Sequence, residues 1–373
     1  MNSRLPAGYN PVAPFRDSAA VTALLRRIKR AVTRPWSIME ICGGQTHAIR
    51  RYGLDELLAD GIELIHGPGC PVCVTPAGKI DRAVELSLRP GFLLCTYGDM
   101  IRVPGSGDSL AMAKSRGGNL QSVYSALDAL QLAREQPDKE IVFFAIGFET
   151  TSPGHAQAVQ LAIDEGITNF SLLCSQVTVP AALTMLLDDE HHRIDGVLAA
   201  GHVCTITGSD EYHPVAERFR VPIVVTGFEP VDLLLGIADC IDQLEAGSYR
   251  VTNSYARIAK DDGNPVARAV LAKIFEPVDM EWRGIGVIPA SGLALREEFA
   301  AFDAERKFQF AARVECHDDD QSGCISGQIL RGLAAPDSCP HFGQSCTPAA
   351  PLGAPMVSAE GACAAYYQYA RFE

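Results

Sequence analysis

Residues 38–76, IMEICGGQTHAIRRYGLDELLADGIELIHGPGCPVCVTP, run twice through one pattern: an apolar strand, a glycine-rich corner that carries cysteine, then a helix. In the first copy residues 36–41 read as a strand, Cys42-Gly43-Gly44 as the corner, and 46–58 as a helix by periodicity. In the second copy 62–65 is a strand, Gly67-Pro68-Gly69-Cys70-Pro71-Val72-Cys73 a tight loop, and a helix starts near Pro76. The same alternation resumes downstream. Strand-like runs at 91–97, 141–146, 170–174, 196–200 and 222–225 are each followed by a corner or loop and helical sequence. Strands alternating with helices predict an α/β fold of parallel sheets covered on both faces.

Cys42 would stand at the mouth of a helix, where unpaired N–H groups and the helix dipole favour a thiolate. Cys70 and Cys73 form a C-x-x-C pair, a spacing suited to a redox dithiol or to two thiolates on one soft metal. A single C-x-x-C is weak evidence, and two unreactive loop cysteines are the bland alternative. Cys42 and His47 in an equivalent corner weigh against it.

In parallel sheets, ligands bind beyond the carboxyl ends of the strands, where Cys42, Cys70, Cys73, Asp99, Glu149, Thr150, His202 and Glu229 all fall. Taken singly, Glu149, His202 and Glu229 read as loop-orienting residues. The corners GFETT and GFEP look like an internal echo. Gly78-Lys79 lacks the P-loop glycine spacing, and no corner contains G-x-G-x-x-G, so a nucleotide cradle is unsupported.

The formal net charge of −13 argues against a nucleic-acid surface, which needs clustered Lys and Arg. The N-terminus lacks a signal-peptide pattern and no apolar run approaches membrane-spanning length, so a cytoplasmic protein is expected. In that reducing compartment the 12 cysteines favour metal or redox roles over disulfides.

Residues 17–32 read as an amphipathic packing helix. After Ile241 the strand–helix pattern weakens, and a third region begins around 282–292, WRGIGVIPASG. It leads to Cys316, Cys324, Cys339 and Cys346, set among glycines and prolines. Four cysteines in one loop-rich segment read as ligands. Zinc sites usually come as paired C-x-x-C knuckles, absent here, whereas an iron-sulfur cluster tolerates wider spacing; spacing alone leaves both open. Cys95 and Cys363, within apolar runs, read as buried residues. The last stretch, 356–369, reads as a terminal helix.

The chain resembles the HypD proteins, which help assemble the iron centre of [NiFe]-hydrogenases. The likeness covers essentially the whole chain and is carried in order by MEICGGQTHAIRRYGLDELL, IHGPGCPVCVTP, GDMIRVPGS, GFETTSPGHA, GHVCTITG, GFEPVDLLLG, CPHFGQSCTP and MVSAEGACAAYYQY. It implies two similar parallel-sheet α/β domains plus a third, loop-rich α+β domain carrying a [4Fe-4S] cluster. The expected division is an N-terminal helix (1–35) packing on the C-terminal domain, α/β domains over 36–135 and 136–245, and an iron-sulfur domain over 246–373.

HypD-like proteins pair with the small chaperone HypC and hold one iron while two cyanides and one carbon monoxide are added. HypE, charged through HypF, delivers the cyanide, and the iron group passes toward the hydrogenase large-subunit precursor. By this likeness Cys42 matches the iron-holding cysteine, Cys70 and Cys73 a dithiol for electron exchange or cyanide transfer, and Cys316, Cys324, Cys339 and Cys346 the cluster ligands. Glu149 and Thr150 fall in a motif at the domain cleft, and His47 in the first corner. The chain departs from the family in two places. Gln45 replaces the first histidine of the familiar CGGHTH, and Ser326 stands where many relatives have cysteine, with Cys324 two residues earlier in its place. Two rival readings are a stand-alone iron-sulfur thiol-disulfide oxidoreductase and a zinc-stabilised interaction module.

Overall fold

The computed structural model describes residues 10–311 and 323–370. Its strands leave one sheet and return to it. β1 (Trp36–Glu40) and β2 (Ile62–His66) open the first sheet, and β3 (Phe92–Thr96), β4 (Leu120–Ser122), β5 (Glu140–Gly147) and β6 (Phe170–Val177) build the second. β7 (Gly196–Ala200), β8 (Ile223–Thr226) and β9 (Val251–Asn253) return to the first, and the hairpin of β10 (Phe275–Trp282) and β11 (Gly286–Leu295) closes the second.

Helices make the connections. α1 (Ser18–Ala31) precedes β1, α2 (Gly43–Tyr52) and α3 (Leu54–Leu58) join β1 to β2, and α4 (Ala77–Leu88) leads to β3. α5 (Leu110–Ser115) and α6 (Ala126–Glu135) flank β4, α7 (Ser152–Asp164) joins β5 to β6, and α8 (Val179–Asp188) leads to β7. α9 (Gly201–Thr207) and α10 (Tyr212–Phe219) join β7 to β8, α11 (Pro230–Glu245) joins β8 to β9, and α12 (Pro265–Ile274) leads into β10. α13 (Ala304–Lys307), α14 (Ser326–Leu330) and α15 (Ala362–Tyr369) complete the described chain.

The first sheet has the order β2-β1-β7-β8-β9, all parallel. The second has the order β10-β11-β6-β5-β3-β4, parallel from β6 to β4, with the hairpin added antiparallel. β6 and β7 are buried along their whole length, which explains the unbroken apolar sequence of β7 and the mainly apolar one of β6, where Ser171, Ser175 and Gln176 are the exceptions. Each sheet reverses its winding direction once. The reversal lies between β1 and β7 in the first sheet and between β3 and β5 in the second, and such a switch point opens a crevice at the strands' carboxyl ends. Cys42 follows β1 and His202 follows β7; Asp99 follows β3 and Glu149 follows β5.

The two sheets, one parallel and one mainly parallel, bear out the α/β class, and several local expectations change. The break expected at 135/136 does not coincide with the separation of the sheets, because β7 pairs with β1 across 158 residues, Ile38 facing Gly196. Apolar periodicity marks a parallel strand without saying which neighbour it takes. α1 docks on α11 rather than on the C-terminal region: Ile28, Leu24 and Leu25 share a core with Leu234, Ile237 and Ile241, and Arg27 pairs with Asp242. The helix expected over 46–58 is broken by Gly53, which takes a left-handed conformation (φ 63°) that glycine tolerates. The WRGIGVIPASG stretch spans the β10–β11 turn and belongs to the second sheet, and Gly201-His202-Val203-Cys204, which reads in sequence as the corner after the strand at 196–200, is already helical. Among the described residues, 323–370 hold short helices, turns and isolated bridges without a named strand. No helix of the described residues is long and apolar enough to cross a membrane.

Ile28 is only 1% exposed, so the α1 docking is open to test. Ile28→Ala is expected to lower stability by about 2–5 kcal/mol in urea unfolding; a loss below about 1 kcal/mol would mean that α1 is not packed there.

Candidate metal and thiol centre

The two cysteine corners are joined through their backbones. The Gly43 N–H donates to the Gly69 carbonyl (2.8 Å), and the Gly67 N–H to the Glu40 carbonyl (2.8 Å). A Cβ on Gly69 would strike the backbone of Cys42, so only glycine lets the Cys70–Cys73 loop lie this close. The Cys73 N–H points at the Cys70 sulfur (3.3 Å). Cys70 and Cys73 are buried, and Cys42 is half-buried at the N-cap of α2.

Beneath these corners lies a carboxylate that the motif reading did not single out. Glu40, the last residue of β1, is fully enclosed. Its Oε2 accepts from the Cys42 N–H (3.1 Å), and its Oε1 accepts from the Thr46 hydroxyl and from Nδ1 of His66 (2.6 Å). His66 is its register partner at the end of β2. The other ring nitrogen of His66, Nε2, lies 3.0 Å from the Tyr366 hydroxyl on α15. His47 makes a parallel contact, its Nε2 lying 2.9 Å from the Tyr369 hydroxyl. A charged or polar residue closing each apolar strand just before its glycine corner, Glu40 and His66, was the signal available in sequence.

Through these contacts α15 lies against α2 and brings the C-terminal segment over the corners. A Cβ at Gly43 would meet the Glu360 carbonyl, and the Ser358 hydroxyl donates to Asp99 beyond β3 (2.9 Å). The segment therefore touches the switch points of both sheets.

Four sulfurs surround a small cavity with apolar walls: Cys324, Cys339, Cys346 and Cys363, enclosed by Ile329, Phe342, Pro355 and Met356. Cys363, read from sequence as merely buried, is thus part of the constellation. Burial pushes its thiol pKa up, and the nearby Cys324, Cys346 and Cys339 add to the rise. Cys363 also bears on Cys73, whose thiol is raised by burial and by Cys70 first. Cys316 lies outside the described residues.

Glu149 is buried, and Thr150 beside it is exposed. Exposed His202 stacks on Phe228, whose ring packs at Gly44. Glu229 caps α11 and pairs with Arg16. Gln45 is enclosed, its amide nitrogen donating to the carbonyls of Ala199 (3.1 Å) and Thr226 (3.3 Å), so it ties the corner to the ends of β7 and β8. Among the described residues no three His, Cys, Asp or Glu side chains close tightly enough on one point to hold a metal ion.

The expected lowering of the Cys42 pKa is reversed. The Gly44 and Gln45 N–H groups do favour the thiolate, but burial, with Glu360 and Glu40 adding to it, pushes the thiol up to about 12.

Fold and site define an α/β protein of two sheets, with the Cys42, Cys70 and Cys73 thiols gathered at the carboxyl ends of the first and a four-cysteine pocket beside them. A family profile described as "HypD: Hydrogenase formation hypA family" matches residues 19–370. The hydrogenase maturation factor HypD of Rhodobacter capsulatus is 47% identical over 364 residues, covering 95% of this chain and 97% of its own length. Those of Azotobacter vinelandii (46% over 369 residues; 96% and 97%) and Escherichia coli K12 (47% over 341 residues; 91% of each) are similarly close. The chain belongs to the HypD family of hydrogenase maturation factors.

In the metal-free protein, alkylation of Cys42 by iodoacetamide is expected to be slow at pH 7 and to keep rising about tenfold per pH unit up to at least about pH 10. A plateau by about pH 9 would show that the helix terminus outweighs burial.

Proposed function

We propose that the chain is the scaffold on which one iron, held at Cys42, receives two cyanides and a carbon monoxide before a HypC-type chaperone carries it toward the hydrogenase large-subunit precursor. The observation that carries this reading is the backbone docking of the Cys42 corner on the Cys70–Cys73 loop, with Cys363 of the four-sulfur pocket within electrostatic reach of Cys73.

Soft, electron-rich ligation suits an iron that binds cyanide and carbon monoxide, and a thiolate at Cys42 supplies it. Iron binding would displace the Cys42 proton, because a coordinating thiol is deprotonated outright. The described side chains do not enclose an ion by themselves, and Cys42 keeps a solvent-facing side. Both features suit a cargo whose coordination is completed by its own diatomic ligands and by a cysteine of the chaperone. A HypE-type cyanide donor would approach from that side.

The four-cysteine pocket fits a [4Fe-4S] cluster: four thiols, apolar walls, and Gly353 at the place where a Cβ would crowd the Cys324 sulfur (2.5 Å). Cys324, Cys339, Cys346 and Cys363 would hold it; Cys316, named from the family resemblance, is the alternative fourth ligand. When bound, such a cluster supplies single electrons. Cys70 and Cys73 stand where a dithiol could pass reducing equivalents to the iron site. Their burial disfavours a stand-alone oxidoreductase, because the disulfide of a protein substrate could not reach either sulfur.

The test is infrared spectroscopy of protein purified anaerobically after co-production with its maturation partners. Cyanide and carbonyl bands are expected, and Cys42→Ala should abolish them while leaving the brown cluster colour; full bands in that variant would remove Cys42 from the iron site. Cys363→Ala should bleach the colour and lower the iron content. Unchanged iron and colour would return the fourth ligand to Cys316.

A further inference from the structure

Two enclosed side chains, one following β5 and one on α10, each carry a polar atom without a hydrogen-bond partner among the described residues. Glu149, 4% exposed, follows β5; its Oε1 accepts from the Val179 N–H in the first turn of α8 (3.0 Å), and its Oε2 is unpaired. Tyr212, 1% exposed, opens α10, and its hydroxyl is also unpaired. The two share a neighbourhood. α8 packs on α10, and Tyr212 lies within electrostatic reach of Cys204, Glu149, Glu211 and Cys42. Cys204, one turn into α9, in turn feels both Glu149 and Cys42.

An unpaired carboxylate buried here would be costly, so the neutral acid is favoured, and burial pushes Glu149 up to about 8. With Oε1 occupied by a donor, the acid proton resides on Oε2 and Glu149 can donate from it. The phenol of Tyr212 is a second neutral donor. Leaving both unmet costs the fold their desolvation, a cost commonly retained where a ligand or ordered water accepts the bonds.

Two uncharged donors suit a small acceptor with partial negative charge, and they suit a weak acceptor poorly. The nitrogen of an iron-bound cyanide is such an acceptor, whereas the oxygen of bound carbon monoxide accepts weakly. We propose that Glu149 and Tyr212 form a subsite that donates hydrogen bonds to a cyanide nitrogen on the iron held at Cys42. This rests on the iron-scaffold reading and deepens it: the subsite would discriminate between two ligands of nearly equal size, as buried donors do when one candidate cannot accept.

The test again uses the full chain purified anaerobically with its maturation partners. Tyr212→Phe deletes only a hydroxyl that has no partner, so the thermal midpoint of the iron-free protein should be unchanged or higher. In the iron-loaded protein the cyanide bands should move to lower wavenumber, and the carbonyl band should move less. Glu149→Met should do the same, and Glu149→Gln, which keeps a neutral N–H donor, should shift the bands less than Glu149→Met. Cyanide bands at wild-type positions in both Tyr212→Phe and Glu149→Met would overturn the subsite and leave the scaffold intact. A drop in the Tyr212→Phe midpoint together with unmoved bands would assign the hydroxyl to a structural water. A wild-type protein without cyanide bands would overturn the scaffold reading and the subsite with it.

Discussion

At the carboxyl end of β1 a single enclosed carboxylate holds three segments together. Glu40 accepts from the Cys42 backbone, the Thr46 side chain and the His66 ring, and His66 passes the connection to Tyr366 on α15. A carboxyl group withdrawn from water is tolerated only when its lone pairs are met, so these bonds form together or leave a costly void in the network. The position of Cys42 thus depends on the end of β2 and on a helix 300 residues later in the chain. The Gly69 approach adds a steric constraint to the same joint.

The interleaved topology explains why so distant a contact exists. The chain crosses between its sheets three times, from β2 to β3, from β6 to β7 and from β9 to β10, and the Cys70–Cys73 loop lies on the first crossing. Each sheet presents its switch point, and the C-terminal segment spans both through Glu360 against Gly43 and Ser358 against Asp99. The four-cysteine pocket is built largely from this segment, so its register against the corners is set by the hydrogen bonds that fix Cys42.

Much of this was legible in the sequence because its cause is local. Alternating apolar runs and glycine corners gave β1, β2, β3, β5, β6, β7 and β8 to within a few residues, since strands covered on both faces carry mainly apolar residues. What failed was long-range. Nothing in the period of residues 36–41 says that their neighbour is 196–200, and nothing in the amphipathic face of α1 says that it meets α11. The site was legible as residue types and only partly as chemistry. Cys42 was placed correctly at a helix mouth, yet burial and the carboxylates of Glu360 and Glu40 reverse the effect expected on its thiol. Cys363 was hidden because alanines and tyrosines surround it in sequence; its neighbours in space are three other sulfurs.

Mössbauer spectroscopy of 57Fe-labelled protein, purified anaerobically with its partners, tests most directly whether these thiols serve two kinds of iron. The proposed scaffold function predicts two components in one chain: a four-iron cluster with all-thiolate ligation, and a separate low-spin iron of the kind that cyanide and carbon monoxide enforce. A protein that carries zinc without iron, or cluster iron alone even when every partner is present, would contradict it.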